Sequence, residues 1–454
     1  MTSYLSRRIL RPLADNEILL VLCSTTAVVM MGHGIISPVL PLFAKTFGVG
    51  AALAGLTISI FGFARLITNL PAGFLSDRFG QRILLVGGPV IVAVSSVLAG
   101  LSPNFWMLIV FRFIAGAGSA MYMTGAMVML AGITSPSNRG RVMSLYQGSI
   151  LIGVSLGPAV GGGVAELAGV RAPFHVVGAL AGLATVWSFL RMPKVAAKIT
   201  LGDDGEEQGE EAESPHDDAA DDQTFAPSRG TFALIRSLMA RPEFALVCML
   251  NMSVFLTRTG GRLTLLPIVG EEKIGLGFGE LGAIFTLMTV LNLLVLIPVG
   301  TMLDRFGRKS VVIPSALLMG VGLSVFAFST GVSTFVLGAF VFGIGSGVLG
   351  PAPAAYAADV APEKARGLAM GLFRTFGDVG FVIGPLGLGA LADLAGFTFA
   401  LVFDAVIVVT FAVLFAVFAR ETIIRRRGGQ ATISPTPEGG GYAASELGRP
   451  VDRQ

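Results

Sequence analysis

Twelve apolar stretches, most of them twenty residues or longer, dominate this 454-residue chain. They cover about 18–44, 51–72, 83–101, 105–131, 142–168, 173–192, 243–269, 279–300, 311–330, 333–357, 367–392 and 397–419. A bilayer core about 30 Å thick is crossed by roughly 20 residues of helix. In lipid every backbone N–H and C=O must be satisfied internally, which leaves helices or closed barrels. None of the stretches alternates as a barrel strand would, so the expected fold class is an all-α membrane protein with twelve transmembrane helices. Charged residues make up 13% of the chain, about half the share of roughly 25% in a soluble domain. The 60 glycines suit helices that pack backbone against backbone. Cys23 and Cys248 sit inside apolar runs and suggest neither a disulfide framework nor a zinc site. The first stretch follows Arg7, Arg8 and Arg11 as a signal peptide would. It is too long and lacks a small-residue cleavage site, so it reads as an uncleaved first helix.

Basic residues set the expected orientation. With the N-terminus in the cytoplasm, the inner loops carry Arg78, Arg82, Arg139, Arg141, Arg191, Lys194, Lys198, Arg305, Arg308, Lys309, Lys364, Arg366 and Arg425–Arg427. The outer loops carry only Lys45, Arg171 and Lys273. This asymmetry predicts a multi-pass protein of the plasma membrane with both termini inside. Residues 201–222 hold eleven acids and no Lys or Arg, and the surrounding stretch 193–240 is poor in apolar residues. It reads as a disordered cytoplasmic linker. Residues 421–454 read as a disordered cytoplasmic tail, and 1–17 as a cytoplasmic N-terminus.

The chain repeats itself. Residues 73–82 read GFLSDRFGQR and residues 300–309 read GTMLDRFGRK, 227 positions apart. Arg139-Gly140 returns as Arg366-Gly367, and Gly153, Gly157 and Pro158 return as Gly380, Gly384 and Pro385, all at the same spacing. PVLPLF (38–43) is echoed by TLLPIV (264–269). Two six-helix bundles of like orientation follow, over 18–192 and 241–420, joined by the acidic linker.

These motifs resemble the major facilitator superfamily, specifically its twelve-helix drug:proton antiporter branch. The resemblance covers all but linker and tail. Gly73, Asp77, Arg78, Gly80 and Arg82 fit the superfamily's signature loop between helices 2 and 3, and Gly300, Asp304, Arg305, Gly307 and Lys309 form its second copy. VFRFIAGAG (110–118) resembles the helix 4 motif and places Arg112 where the family keeps a membrane-embedded arginine. GVSLGPAVGG (153–162), with Gly153, Gly157, Pro158, Gly161 and Gly162, fits the helix 5 pattern associated with antiporters. The resemblance implies that Asp77 and Asp304 reach free N–H groups at a neighbouring helix start, where the dipole favours negative charge, and latch the cytoplasmic side. The proline–glycine pairs serve as packing faces or as bends that shape the cavity.

Ionisable residues inside spans are costly and mark transport paths. His33, Arg65, Arg112, Arg258, Arg262, Arg374, Asp378 and Asp404 qualify. Family architecture puts helices 1, 4, 7 and 10 around the cavity, which makes His33, Arg112 and Arg258 cavity candidates. Arg374 and Asp378 stand four residues apart on one helix face and can pair, so that Asp378 is a candidate proton carrier or half of a structural ion pair. His33 is a second candidate carrier or, equally, a histidine bonded to a carbonyl of a kinked helix, whereas Arg65 and Arg112 hold charge and do not shed protons. Asp404, on a peripheral helix, reads as a buried cap or as an oddity of the lipid face, and Glu271, Glu272 and Glu280 as solvated.

Two features depart from the branch. Position 29 is Val where an acid is usual. Asp359 precedes Arg366, yet the matching first-half position is Gly132. With more arginine than carboxylate in the spans, a neutral or anionic substrate fits better than an obligate cation. The expected function is proton-coupled export of a small amphiphilic compound by alternating access, from a protein functional as a monomer. A proton-coupled importer of a small metabolite and a non-transporting sensor are the alternatives. Nothing points to an enzyme, a cofactor, a metal or nucleic acid, and no G-x-x-x-x-G-K-[ST] loop supports ATP-driven pumping.

Overall fold

The computed structural model describes residues 17–134, 139–191, 229–349, 351–362, 365–421, 423–424 and 432–433. The N-terminal 16 residues, most of the acidic linker and most of the tail lie outside them, as do the side chains of Asp77, Arg139, Arg141, Asp304 and Arg305. Among the described residues twelve helices are long and apolar enough to cross a membrane. They are α1 Glu17–Ile36, α2 Ala51–Phe79, α3 Gln81–Gly100, α4 Phe105–Ile133, α5 Arg139–Ala168, α6 Ala172–Arg191, α7 Pro242–Ile274, α8 Phe278–Phe306, α9 Arg308–Ala327, α10 Val332–Val360, α11 Arg366–Ala395 and α12 Phe397–Phe418. The all-α architecture is the one expected, with boundaries a few residues from those read in the apolar pattern.

The helix ends follow local chemistry. Gly80 and Gly307 adopt φ of +82° and +91°, a region open to glycine at little cost, and each turns its chain from one span straight into the next. Asn104 caps α4 by accepting from the Met107 N–H at 3.0 Å, which satisfies one of the orphan donors of a helix start. An amphipathic helix, Arg229–Met239, occupies the end of the stretch read as linker, and its Leu238 is fully buried. Leu238 joins the core with Met239 half-buried against it, which the polar average of the segment conceals.

Each half packs its own helices, and two seams join the halves: α2 against α11, and α5 against α8. Glycines make these seams. A Cβ on Gly55 of α2 would overlap the Pro385 carbonyl oxygen of α11, and one on Gly389 would stand 2.5 Å from the Ala51 oxygen. In the other seam a Cβ on Gly162 would overlap the Phe278 oxygen, and one on Gly282 would stand 2.5 Å from the Pro158 oxygen. Gly55 and Gly282, like Gly162 and Gly389, are 227 residues apart. The repeat therefore builds one seam twice. Gly153, Gly157 and Gly161 turn instead to α1, where added methyls would overlap the backbone of Ala27, Gly34 and Ile35. Gly380 and Gly384 do the same against Met252 and Leu256 of α7.

Candidate functional site

The seams close the end of the bundle far from the signature loops. There the α2 N-terminus donates from the Ala51 and Ala52 N–H groups to Asp393 at 2.8 and 2.9 Å. Across the pseudo-symmetric seam, Gly279 N–H at the α8 N-terminus donates to Glu166 at 3.3 Å. Glu166 and Asp393 are again 227 apart, each a carboxylate at the end of one half capping a helix of the other. Such a carboxylate satisfies orphan N–H groups and meets the positive end of the helix dipole. Between them Lys45 pairs with Glu272. Burial pulls the Lys45 ammonium below its usual range, and the nearby Glu271 and Asp393 carboxylates oppose that shift.

Towards the signature loops the halves diverge. Gly73, Gly367 and Gly371 have none of the described residues within 4 Å of a notional Cβ, in contrast to the interlocked glycines at the far end. The space between is a cavity of about 660 Å³, lined by Arg65 of α2, Met123 and Met127 of α4, Tyr146 of α5, and Arg374 and Asp378 of α11 among others. That volume suits a drug-sized ligand. Above it the seam closes where Ser59 donates to the Val382 oxygen at 2.6 Å and Phe381 lies over Gly62.

Three of the six residues expected on the substrate or proton path thus meet in one cavity: Arg65, Arg374 and Asp378. Arg374 and Asp378 share a helix face as their spacing predicts, but no salt bridge closes between them among the described residues, because both side chains face open space. Arg65 Nε is buried and has no hydrogen-bond partner among the described residues.

The other three line no part of this cavity. His33 and Arg112 share a pocket of about 30 Å³ inside the first half, beside Phe61. The ring of His33 lies 5.5 Å from that of Phe61, and the Arg112 guanidinium stands 4.6 Å above it. Arg112, 5% exposed, donates from Nε to the Thr57 oxygen at 3.3 Å. The pocket holds about one water, so these two residues join α1, α2 and α4 without room for a substrate. Arg258 donates to the Ser346 oxygen of α10 at 2.6 Å, and Arg262 to the Phe285 oxygen of α8 at 3.4 Å. Both lie in a π-helical segment of α7, Thr257–Leu265, a geometry that often accompanies function. Asp404, fully buried, accepts from Thr257 Oγ1 of that segment at 2.6 Å, and its second oxygen lacks a partner among the described residues.

At the signature loops, Arg82 Nη2 donates to the Phe189 oxygen at the end of α6 at 2.9 Å, and Lys309 Nζ to the Ala419 oxygen just past α12 at 2.8 Å. Each basic residue so binds the negative end of the last helix in its own half. Glu421 accepts from the Arg308 and Lys309 N–H groups at 2.8 and 3.1 Å, and Arg308 pairs with Asp359 at 3.3 Å. Arg78 is exposed, stacked near Phe79. Glu166, Asp393 and Glu421 were not singled out in the sequence. For the first two a signal exists, since each acid follows its helix's proline by eight residues in both halves.

Two pseudo-symmetric six-helix halves, sealed at one end around a central cavity, are the architecture of a membrane transporter. The profile of the Major Facilitator Superfamily matches residues 22–279 and 251–442, and the chain belongs to that family. An uncharacterised MFS-type transporter of Methanocaldococcus jannaschii is 24% identical over 84% of this chain and 94% of its own. The quinolone resistance protein NorA of Staphylococcus aureus is 27% identical over 84% of this chain and 91% of its own. Among solved structures, a mutant of the nucleoside transporter NupG superposes with a TM-score of 0.70 at 15% identity, over 89% of this chain and all of that one. A bacterial homologue of the human lysosomal transporter Spinster, inward-facing and unoccupied, gives 0.68 at 15% identity, over 88% and 95%. These structures are similar in fold.

Proposed function

We propose that this transporter is proton-coupled, works by alternating access, and takes small amphiphilic compounds, neutral or anionic, into the cavity around Asp378. It exports the neutral ones in exchange for protons. One observation carries the reading: a drug-sized cavity between the halves holds a carboxylate at its wall and is sealed at one end only. An ionised Asp378 accepts hydrogen bonds from a substrate, and a proton arriving from the other side displaces them. The halves then rock about the two glycine seams, which open as the signature loops close. The basic loops support an open end on the cytoplasmic side of the plasma membrane, and with it an inward-facing state. Similarity to a quinolone resistance protein supports outward movement of a noxious compound. Import is the second reading, favoured by the two guanidiniums in the cavity.

Inside-out vesicles that overproduce the protein, with an acid-inside gradient, are expected to accumulate neutral amphiphilic dyes severalfold over vesicles without it. Collapsing the gradient with an ionophore is expected to release them. Accumulation that ignores the gradient for every compound of a broad panel removes proton-driven export.

A further inference from the structure

We infer that the cavity is a binding site for amphiphilic organic anions, and that such an anion binds together with a proton on Asp378, not in exchange for one. The inference rests on the reading of this cavity as the substrate site.

Among the described residues, the charged and titratable groups that line the cavity are Arg65 from α2, Arg374 and Asp378 from α11, and Tyr146 from α5. The α4 wall contributes none, and α7, packed behind α11 at Gly377, presents uncharged Asn251 and Phe255 there. Two guanidiniums, which hardly ever deprotonate, therefore face one carboxylate. None of the three is engaged in a salt bridge among the described residues, and Arg65 keeps a buried Nε–H without an acceptor. A carboxylate or sulfonate is the group that suits such forked, charged donors. The methionines beside them, Met123 and Met127, offer an adaptable apolar wall to its hydrocarbon.

Charge then decides the coupling. With Asp378 ionised, an incoming anion meets a like charge and a rival for the same guanidiniums. With Asp378 protonated, both guanidiniums are free and the repulsion is gone. A proton thus raises affinity for the anion, and by thermodynamic reciprocity the anion raises affinity for the proton. An organic anion moves in the direction of the proton, whereas a neutral amphiphile competes with the proton for Asp378. The charge of the cargo sets its direction through the same cavity.

Calorimetric titration of the purified full chain tests this with naphthalene-2-sulfonate, an anion at every pH used, and naphthalene-2-sulfonamide, its neutral counterpart. Between about pH 7.5 and about pH 5.5 the sulfonate is expected to bind about tenfold more tightly, a coupling of ordinary size, while the sulfonamide does not gain. Asp378→Asn is expected to bind sulfonate at the higher pH as tightly as the parent at the lower one, without pH dependence. Arg65→Gln and Arg374→Gln are expected to lose the sulfonate and retain the sulfonamide. Sulfonate binding that weakens or stays level on acidification, with sulfonamide binding intact, overturns the inference and leaves the cavity as the substrate site. If neither compound binds, or neither is excluded by Thr375→Trp in the cavity wall, both readings fall.

Discussion

Exchanging Gly55 for valine is expected to abolish transport, because the seam that seals the far end of the bundle can no longer close. A side chain at this position would overlap the Pro385 carbonyl oxygen, a backbone atom of α11 that has nowhere to move. Overpacking of this kind typically costs about 1–3 kcal/mol, and the protein escapes the cost by parting the halves at that end. Gly55→Val should therefore persist in the opposite state, folded but unable to cycle. Gly73→Val supplies the counterpart. Gly73 has open space around it here, so the variant tolerates this state and obstructs closure of the signature-loop end. With Cys23 and Cys248, the two native and buried thiols, replaced by alanine, a single cysteine reports the state. Ser59→Cys, buried in the seam, is expected to react from the sealed side in Gly55→Val and to stay protected in Gly73→Val. Equal protection in both variants would show that the seam does not move.

Asp378→Asn is expected to lower gradient-driven transport by about a hundredfold or more, since asparagine keeps the shape of the side chain but can no longer release a proton at physiological pH. Exchange of substrate across a membrane without a gradient should survive, because the cavity and both seams are untouched. A variant that transports at the parental rate and still responds to the gradient would take Asp378 off the proton path. Asp404 would then be the next carboxylate to replace, as it is buried, bound by Thr257 and left with one free oxygen.

Much of this architecture was legible in the sequence, for a physical reason. Lipid demands long apolar helices, so the twelve spans are written in composition, and a duplicated unit leaves its spacing of 227 on the residues that join the two halves. Gly55 and Gly282, Gly162 and Gly389, and Glu166 and Asp393 all obey it. The interior was harder to read. Spacing along one helix puts Arg374 and Asp378 on a common face, but it does not say what stands opposite. Only packing shows that Arg65 faces them across the cavity while His33 and Arg112 close on Phe61 within one half. The π-helical segment of α7 shows in the sequence as a polar break, TRTGGRLTL, but not as a change of helix geometry, and Asp404 acquires its meaning from Thr257, 147 residues away.

Alternating access is the claim on which the rest depends. It is tested most directly by measuring distances between spin labels across both ends of the bundle in lipid. One pair, at Thr46 and Glu271, spans the sealed end; the other, at Leu70 and Thr375, spans the mouth of the cavity. Two populations are expected, one short at the sealed end and long at the mouth, the other reversed, and acidification with substrate should change their ratio. A single, unchanging distance at each end, in protein that still transports, would contradict the account.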